Sequence, residues 1–478
     1  MWQPIYSRAF VKHVGVVGVC ILSPLCLWPS HATGQAAAVH GGRARLSGTA
    51  SALVRTVRVG QHPALVAIDA HDRRVFVANE GPLAGDFVLP SRSGSVSMVD
   101  ERTGAVLRTV TVGQTPVAIA FDAPTGRVFV LAAGRIDTSV GFTSVGGSVS
   151  VLNAVTGAVL RTLEVGSVPL TALGAGTAPS ARQALAVDAT SGRVYVAAAA
   201  TILALDGSTG TIRQTIELST GGPPQIPSPS TIAVSAQAKR LYVGDGYDAA
   251  IPPSATRLGE ISGSLAVLDS ATTRGVANVV LAQQGVGAIA IDARAGRVLV
   301  IEPHGVSERA FVDVFAARTG ARLRTITLPG AFGAGNCAVA LDGARGRAFV
   351  LYTPSGYDAQ NGFGATLYVL DTTSGSVLQT TPLTSGGGGY FLGRAVAIVG
   401  RPARVLVATA RGGLSEPPGS VAVYSSGISV FDAPSGRFLA PLPVGIGPQD
   451  VAIDENTHHI FITNEHDNTL SIFDATRL

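Results

Sequence analysis

Residues 468–478 read NTLSIFDATRL. Three upstream stretches have the same build: GSVSMVDERTG at 94–104, GSVSVLNAVTG at 147–157 and ATLYVLDTTSG at 365–375. Each upstream copy is an apolar run ending at Asp or Asn, then a short polar turn with glycine. It continues directly into another apolar segment, such as AVLRTVTVG at 105–113. The last copy stops at the turn. A counterpart of its missing partner stands at the opposite end, where LVRTVRVG at 53–60 reads like VLRTVTVG at 106–113.

Working outward from that stretch, a unit of four apolar segments recurs. The first segment is seen in ALVAID (64–69), VAIAFD (117–122), AIAID (288–292) and DVAID (450–454). The second is seen in RVFVAN (74–79), RVYVAA (193–198), RLYVGD (240–245) and HIFITN (459–464). Segments of four to eight residues, rich in Val, Ile, Leu and aromatics and bounded by turn residues, are strands. The joins carry Gly, as in PTGR and RTG, and Gly supplies the positive φ of tight turns. The near-continuous apolar second segments belong in sheets covered on both faces. Repeated four-stranded antiparallel sheets predict an all-β fold, a β-propeller. Eight first strands are expected, beginning near His62, Pro116, Gln183, Thr231, Gly287, Cys337, Ala395 and Gln449. The count falls to seven if 311–316 or 419–432 is not a third strand. The strand at 53–60 is expected to complete the last blade and so remove an exposed sheet edge.

The domain reading is a signal peptide over 1–32, a flexible linker over 33–52 and one propeller over 53–478. Arg8 and Lys12 start the leader, Val14 to Trp28 is its apolar stretch, and Ser30-His31-Ala32 suits cleavage before Thr33. Export to the periplasm, the outside or the cell surface is expected. Removing the leader takes both tryptophans (Trp2, Trp28) and two of three cysteines (Cys20, Cys26), leaving Cys337 without a disulfide partner in the chain. The net charge of +4 is too small, and the arginines too dispersed, for a nucleic-acid partner. Mean hydropathy is high, at +0.36, yet beyond the leader no apolar run approaches the roughly 20 residues of a membrane span. A monomer is expected.

HIFITNEHDNTLSIFDATRL (459–478) resembles the repeat of the YVTN family of β-propellers, and the Val-Gly-x-x-Pro links VGQHP (59–63), VGQTP (112–116) and VGIGP (444–448) fit the same pattern. The resemblance spans most of 53–478. It implies the propeller fold and is weak for function, because the family mixes surface-layer proteins, exported proteins of unknown role and lactonase-like relatives. Eight blades depart from the seven that most relatives have. Eight-bladed quinone-cofactor dehydrogenases share turns like DGSTG (206–210), but typically carry blade-docking tryptophans and often an adjacent cysteine pair. Neither is present here after the leader.

Insertions collect on one rim. They fall between second and third strands (80–94, 131–147, 244–263, 302–310, 352–364, 410–426) and between blades (167–182, 219–230, 329–336, 383–394), whereas the other turns are short. A rigid scaffold with elaborated loops on one face is where binding usually resides. The candidate ligand-binding residues are Asn79, Asp245, Tyr247, Glu302, His304, Tyr357 and Asn464, which end second strands or lie in the inserted loops. Tyr352, Thr409, Glu80 and Glu465 accompany them. His62, His304 and His466 add imidazoles near the expected channel mouth. Asp245 and Glu302 are the candidate ligands for a divalent cation. No cofactor is predicted, and no catalytic residue is assigned. The repeated aspartates (Asp69, Asp122, Asp188, Asp206, Asp269, Asp371, Asp432 and others) read as turn caps. No nucleophile elbow, zinc-protease or phosphate-loop motif is present. The leading reading is a non-enzymatic exported propeller that binds a protein, glycan or small ligand. The alternatives are a lactonase-like or other metal-assisted hydrolase, and a structural cell-surface protein.

Overall fold

The computed structural model describes residues 52–84, 89–90, 92–137, 143–170, 183–218, 229–245, 263–281, 285–303, 309–332, 335–354, 365–383, 390–400, 402–412 and 427–478. Eight four-stranded antiparallel sheets follow one another along the chain. Blade 1 is built from Pro63–Asp69, Arg74–Asn79, Ser93–Asp100 and Val106–Gln114. Blade 2 runs from Pro116–Asp122 to Val159–Gly166, blade 3 from Leu185–Asp188 to Ile212–Glu217, and blade 4 from Pro229–Ser235 to Gly275–Val280. Blade 5 runs from Ala288–Asp292 to Arg322–Phe332, blade 6 from Gly335–Asp342 to Val377–Leu383, and blade 7 from Tyr390–Val399 to Phe438–Leu442. Each first strand packs beside the next blade's first strand. The series closes where Pro448–Asp454 of blade 8 meets Pro63–Asp69. The disputed third strands are present as Arg309–Ala316 and Gly427–Asp432, so the count is eight.

Blade 8 consists of Pro448–Asp454, His459–Asn464, Thr469–Asp474 and, as its outer strand, Leu53–Arg58 from the far end of the chain. Phe473 pairs with Leu53 and Ile472 with Arg55, so Val54 bulges out. The same one-residue bulge follows every third-to-fourth turn, for example where Leu107 is skipped between Val106 and Arg108 and Leu160 between Val159 and Arg161. No turn joins the two strands of the latch directly, yet the bulge persists. The outer-strand sequence therefore carries its own register, with hydrophobics such as Val57 directed at the core.

The second strands are the spine. Their third residues are Phe76, Phe129, Tyr195, Tyr242, Leu299, Phe349, Leu406 and Phe461, all wholly buried. They are covered from both sides, which explains the continuous apolar pattern. With no tryptophan in the described residues, tyrosine supplies part of the docking between blades. The hydroxyl of Tyr195 donates to the Ser270 carbonyl of blade 4, and that of Tyr242 to the Ala317 carbonyl of blade 5. The aspartates that end the third strands cap their turns: Asp206 accepts from the backbone N–H groups of Ser208 and Thr209 at 2.8 Å each, and Asp371 from Thr373 and Ser374. The Ser208 hydroxyl holds the Asp206 carboxyl well below the usual carboxylate range, against the opposing effect of burial.

The Val-Gly links have a steric reason. A Cβ on Gly60 would stand 2.6 Å from the Asn79 side chain, and one on Gly445 2.8 Å from that of Asn464. In both links the glycine lets the chain pass close over the end of a second strand.

Candidate functional site

The candidates at the ends of second strands separate into two groups. Asn79 and Asn464 were expected at the mouth, but both are fully buried and tied into their own blades. The Asn79 amide donates to the hydroxyls of Ser95 and Ser97 at 3.1 and 3.2 Å. The Asn464 amide donates to those of Thr469 and Ser471 at 3.0 and 2.9 Å. These amides join second to third strand, and hydroxyls at alternate third-strand positions are the signal that betrays them. Asp245, Glu302, Tyr352 and Thr409 are also buried. Asp245 and Glu302 belong to no group of three ligating side chains among the described residues. Tyr247, His304 and Tyr357 lie outside the described residues, as does the rest of the repeated GYDA. Cys337 is a free thiol whose pKa burial pushes up.

One cluster does assemble, from residues at opposite ends of the sequence. His62 closes the link between the latch strand and blade 1. Glu465 and His466 follow the second strand of blade 8. A nitrogen or carboxylate oxygen from each lies within 4.8 Å of the other two. His62 Nδ1 is 3.9 Å from Glu465 Oε1, too far for a hydrogen bond, and this buried nitrogen has no hydrogen-bond partner.

The scaffold around the cluster is specific. The His62 N–H donates to Asn468 Oδ1 at 2.8 Å, across 406 residues of sequence. The His62 carbonyl accepts from the Glu80 N–H at 2.9 Å. Glu465 and His466 donate their own N–H groups to the carbonyls of Gly447 and Ile446 at 2.9 and 3.1 Å. The Gln449 amide donates to Glu465 Oε2, which leaves Oε1 facing His62. The His466 ring lies over Gly447, where a Cβ would come within 2.7 Å of it. Glu465 is buried, His62 half-buried and His466 exposed. Burial lowers the His62 pKa, the Glu465 carboxylate opposes that, and His466 adds to the lowering. His62 has φ +51, but Thr115 in the equivalent link has φ +56. The left-handed backbone therefore belongs to the link, whereas the imidazole belongs to this junction alone.

The opposite rim of the same junction carries a second polar contact, which the sequence reading missed. Buried Glu101, in the third-to-fourth turn of blade 1, faces His459 Nδ1 at 2.8 Å and accepts from the Thr457 hydroxyl. Nothing in the spacing of residues 101 and 459 signals it, because ring closure alone brings them together.

No family model matches the chain, and no curated protein matches it. Solved structures do. The Dos1 propeller superposes with a TM-score of 0.60 at 11% identity, covering 88% of this chain and 95% of that one. BamB from Moraxella catarrhalis superposes with a TM-score of 0.51 at 14% identity, covering 88% of this chain and 99% of that one. At such identities the likeness is one of fold: the chain is a β-propeller. No helix among the described residues is long and apolar enough to cross a membrane.

Proposed function

We propose that the chain is an exported, non-catalytic binding propeller of YVTN type, which takes a protein, glycan or small ligand on the rim formed by its second-to-third loops and inter-blade links. The carrying observation is the contrast between the rims. On one, the turns after the third strands repeat a single short, capped design from blade to blade. In the sequence, the long insertions fall instead in the other connections, between second and third strands and between blades. Uniform turns hold the ring, and varied loops on a rigid ring provide recognition. The leader over 1–32 supports export, and Edman sequencing of the secreted protein should begin at Thr33.

The test is site-specific photo-crosslinking in an exporting host. Probes at positions 247 and 357 should capture a discrete partner, or label on a glycan array, while probes at Thr103 and Thr209 on the opposite rim should not. Equal capture from both rims, or none from the first rim together with a silent array, overturns the reading.

A further inference from the structure

We propose that His62, Glu465 and His466 bind one transition-metal dication of the zinc class, and that this ion ties the first blade to the last. The inference goes beyond the binding role above and does not depend on it.

The donor set fixes the class of ion. Two imidazole nitrogens with one carboxylate oxygen suit zinc, cobalt, nickel or copper, whereas calcium and magnesium take oxygen ligands. The spacing fits too. Ligand atoms about 2.1 Å from one tetrahedral ion stand about 3.4 Å apart. The 3.9 Å between His62 Nδ1 and Glu465 Oε1, and the 4.8 Å limit of the cluster, therefore need only side-chain adjustment. The supports expected around a metal ligand are also present. Gln449 engages Glu465 Oε2, so Oε1 is the oxygen offered to the ion, and partners of this kind orient ligands. The exposed side of His466 gives an ion a way in.

Comparison with the other blades shows that the ligands are particular to the junction. In blade 2 the link ends Gln114-Thr115-Pro116, and Ala133 and Gly134 donate to the Thr115 and Gln114 carbonyls at 2.8 Å each. In blade 1, Glu80 and Gly81 donate to His62 and Gln61; in blade 8, Glu465 and His466 donate to Gly447 and Ile446. The backbone geometry is shared by all three. A site needs histidine in one blade's link together with Glu-His after the preceding blade's second strand. Of these three links only that of blade 1, facing blade 8, has both. That is also the junction held by a strand from the far end of the chain. An ion here would close a loop of nearly the whole ring, as a cross-link does.

The experiment uses the mature chain stripped with chelator, then titrated with zinc chloride or cobalt chloride. Native mass spectrometry should show one ion per chain. Zinc at about a hundred times its dissociation constant should raise the melting temperature by about 3 °C for a domain of this size, and calcium should not. His466→Gln, an exposed change, and His62→Asn, which tolerates the left-handed backbone, should each weaken binding at least about tenfold. Both variants, free of metal, should melt with the parent, so misfolding cannot mimic the result. Gln449→Leu should weaken binding without removing a ligand. His71→Gln, at an exposed histidine elsewhere in blade 1, should change nothing. No one-to-one complex, or zinc binding by both histidine variants equal to that of the parent, overturns the proposal. Equal loss on His71→Gln does so as well.

Discussion

Val57→Ala tests the latch where it enters the core. Val57 is 7% exposed and packs in a cluster with Phe461, Leu470 and Ile472 of blade 8 and Val66, Val75, Val77 and Val99 of blade 1. The substitution removes two methyl groups. At about 0.8 kcal/mol per buried carbon, plus a small cavity term, it should cost about 2 kcal/mol. The control lies three residues away in the same strand. Val54 is the bulged residue, 39% exposed, and Val54→Ala should stay within about 0.5 kcal/mol. Both changes carry the same loss of strand propensity, so their difference isolates burial. In urea unfolding followed by far-UV circular dichroism, a slope near 3 kcal/mol/M turns the 2 kcal/mol into a midpoint shift of about 0.7 M. Equal shifts for the two variants would mean that residues 53–58 merely lie against the ring, and the account of closure would fail.

Other outcomes follow from the same structure. Gly60→Ala places a methyl 2.6 Å from the buried Asn79 side chain and should cost about 1–3 kcal/mol, read as a lower urea midpoint. Asp206→Ala removes a turn cap and should cost about 1 kcal/mol at neutral pH. Because the folded-state pKa of Asp206 lies below its unfolded value of 3.8, its charge-dependent part is present above pH 3.8 and is lost as the pH falls through the folded value. The gap between parent and variant should therefore narrow in acid unfolding curves. A circular permutant joining Leu478 to Ala52, with new ends between blades 3 and 4, should elute with the parent and show one cooperative melt. Aggregation on size-exclusion chromatography would count against the observed strand order.

The ring was legible because its rules are local. A repeat of four strands needs only alternating apolar runs and glycine turns, and NTLSIFDATRL with LVRTVRVG showed which strand had crossed the ends. Strand starts were less legible where bulges intervene. Blade 7 begins at Tyr390 rather than near Ala395, because the register shift between Gly393 and Ala395 lets pairing continue beyond the repeat. Most of the turn aspartates were read correctly for the same local reason, since their carboxylates find N–H groups two or three residues on, whereas Asp122, among the described residues, accepts only the Thr125 hydroxyl.

The site obeyed no local rule. Asn79 and Asn464 ended strands on the right rim, which made them look like mouth residues, but an amide there meets third-strand hydroxyls before it meets solvent. His62, Glu465 and His466 were each noticeable as polar groups at loop ends. Their convergence was not, because no motif spacing spans a junction whose halves come from opposite ends of the chain. The Glu101–His459 contact was hidden in the same way. Both polar clusters sit between blade 8, whose third and outer strands come from opposite ends of the chain, and blade 1. Chemistry at this junction is thus a consequence of topology: the link at 59–63 joins blade 8's outer strand to blade 1 as the other links join their blades, and the one break in the repeat lies inside blade 8, between Asp474 and Leu53, so the side chains that meet here come from opposite ends of the sequence.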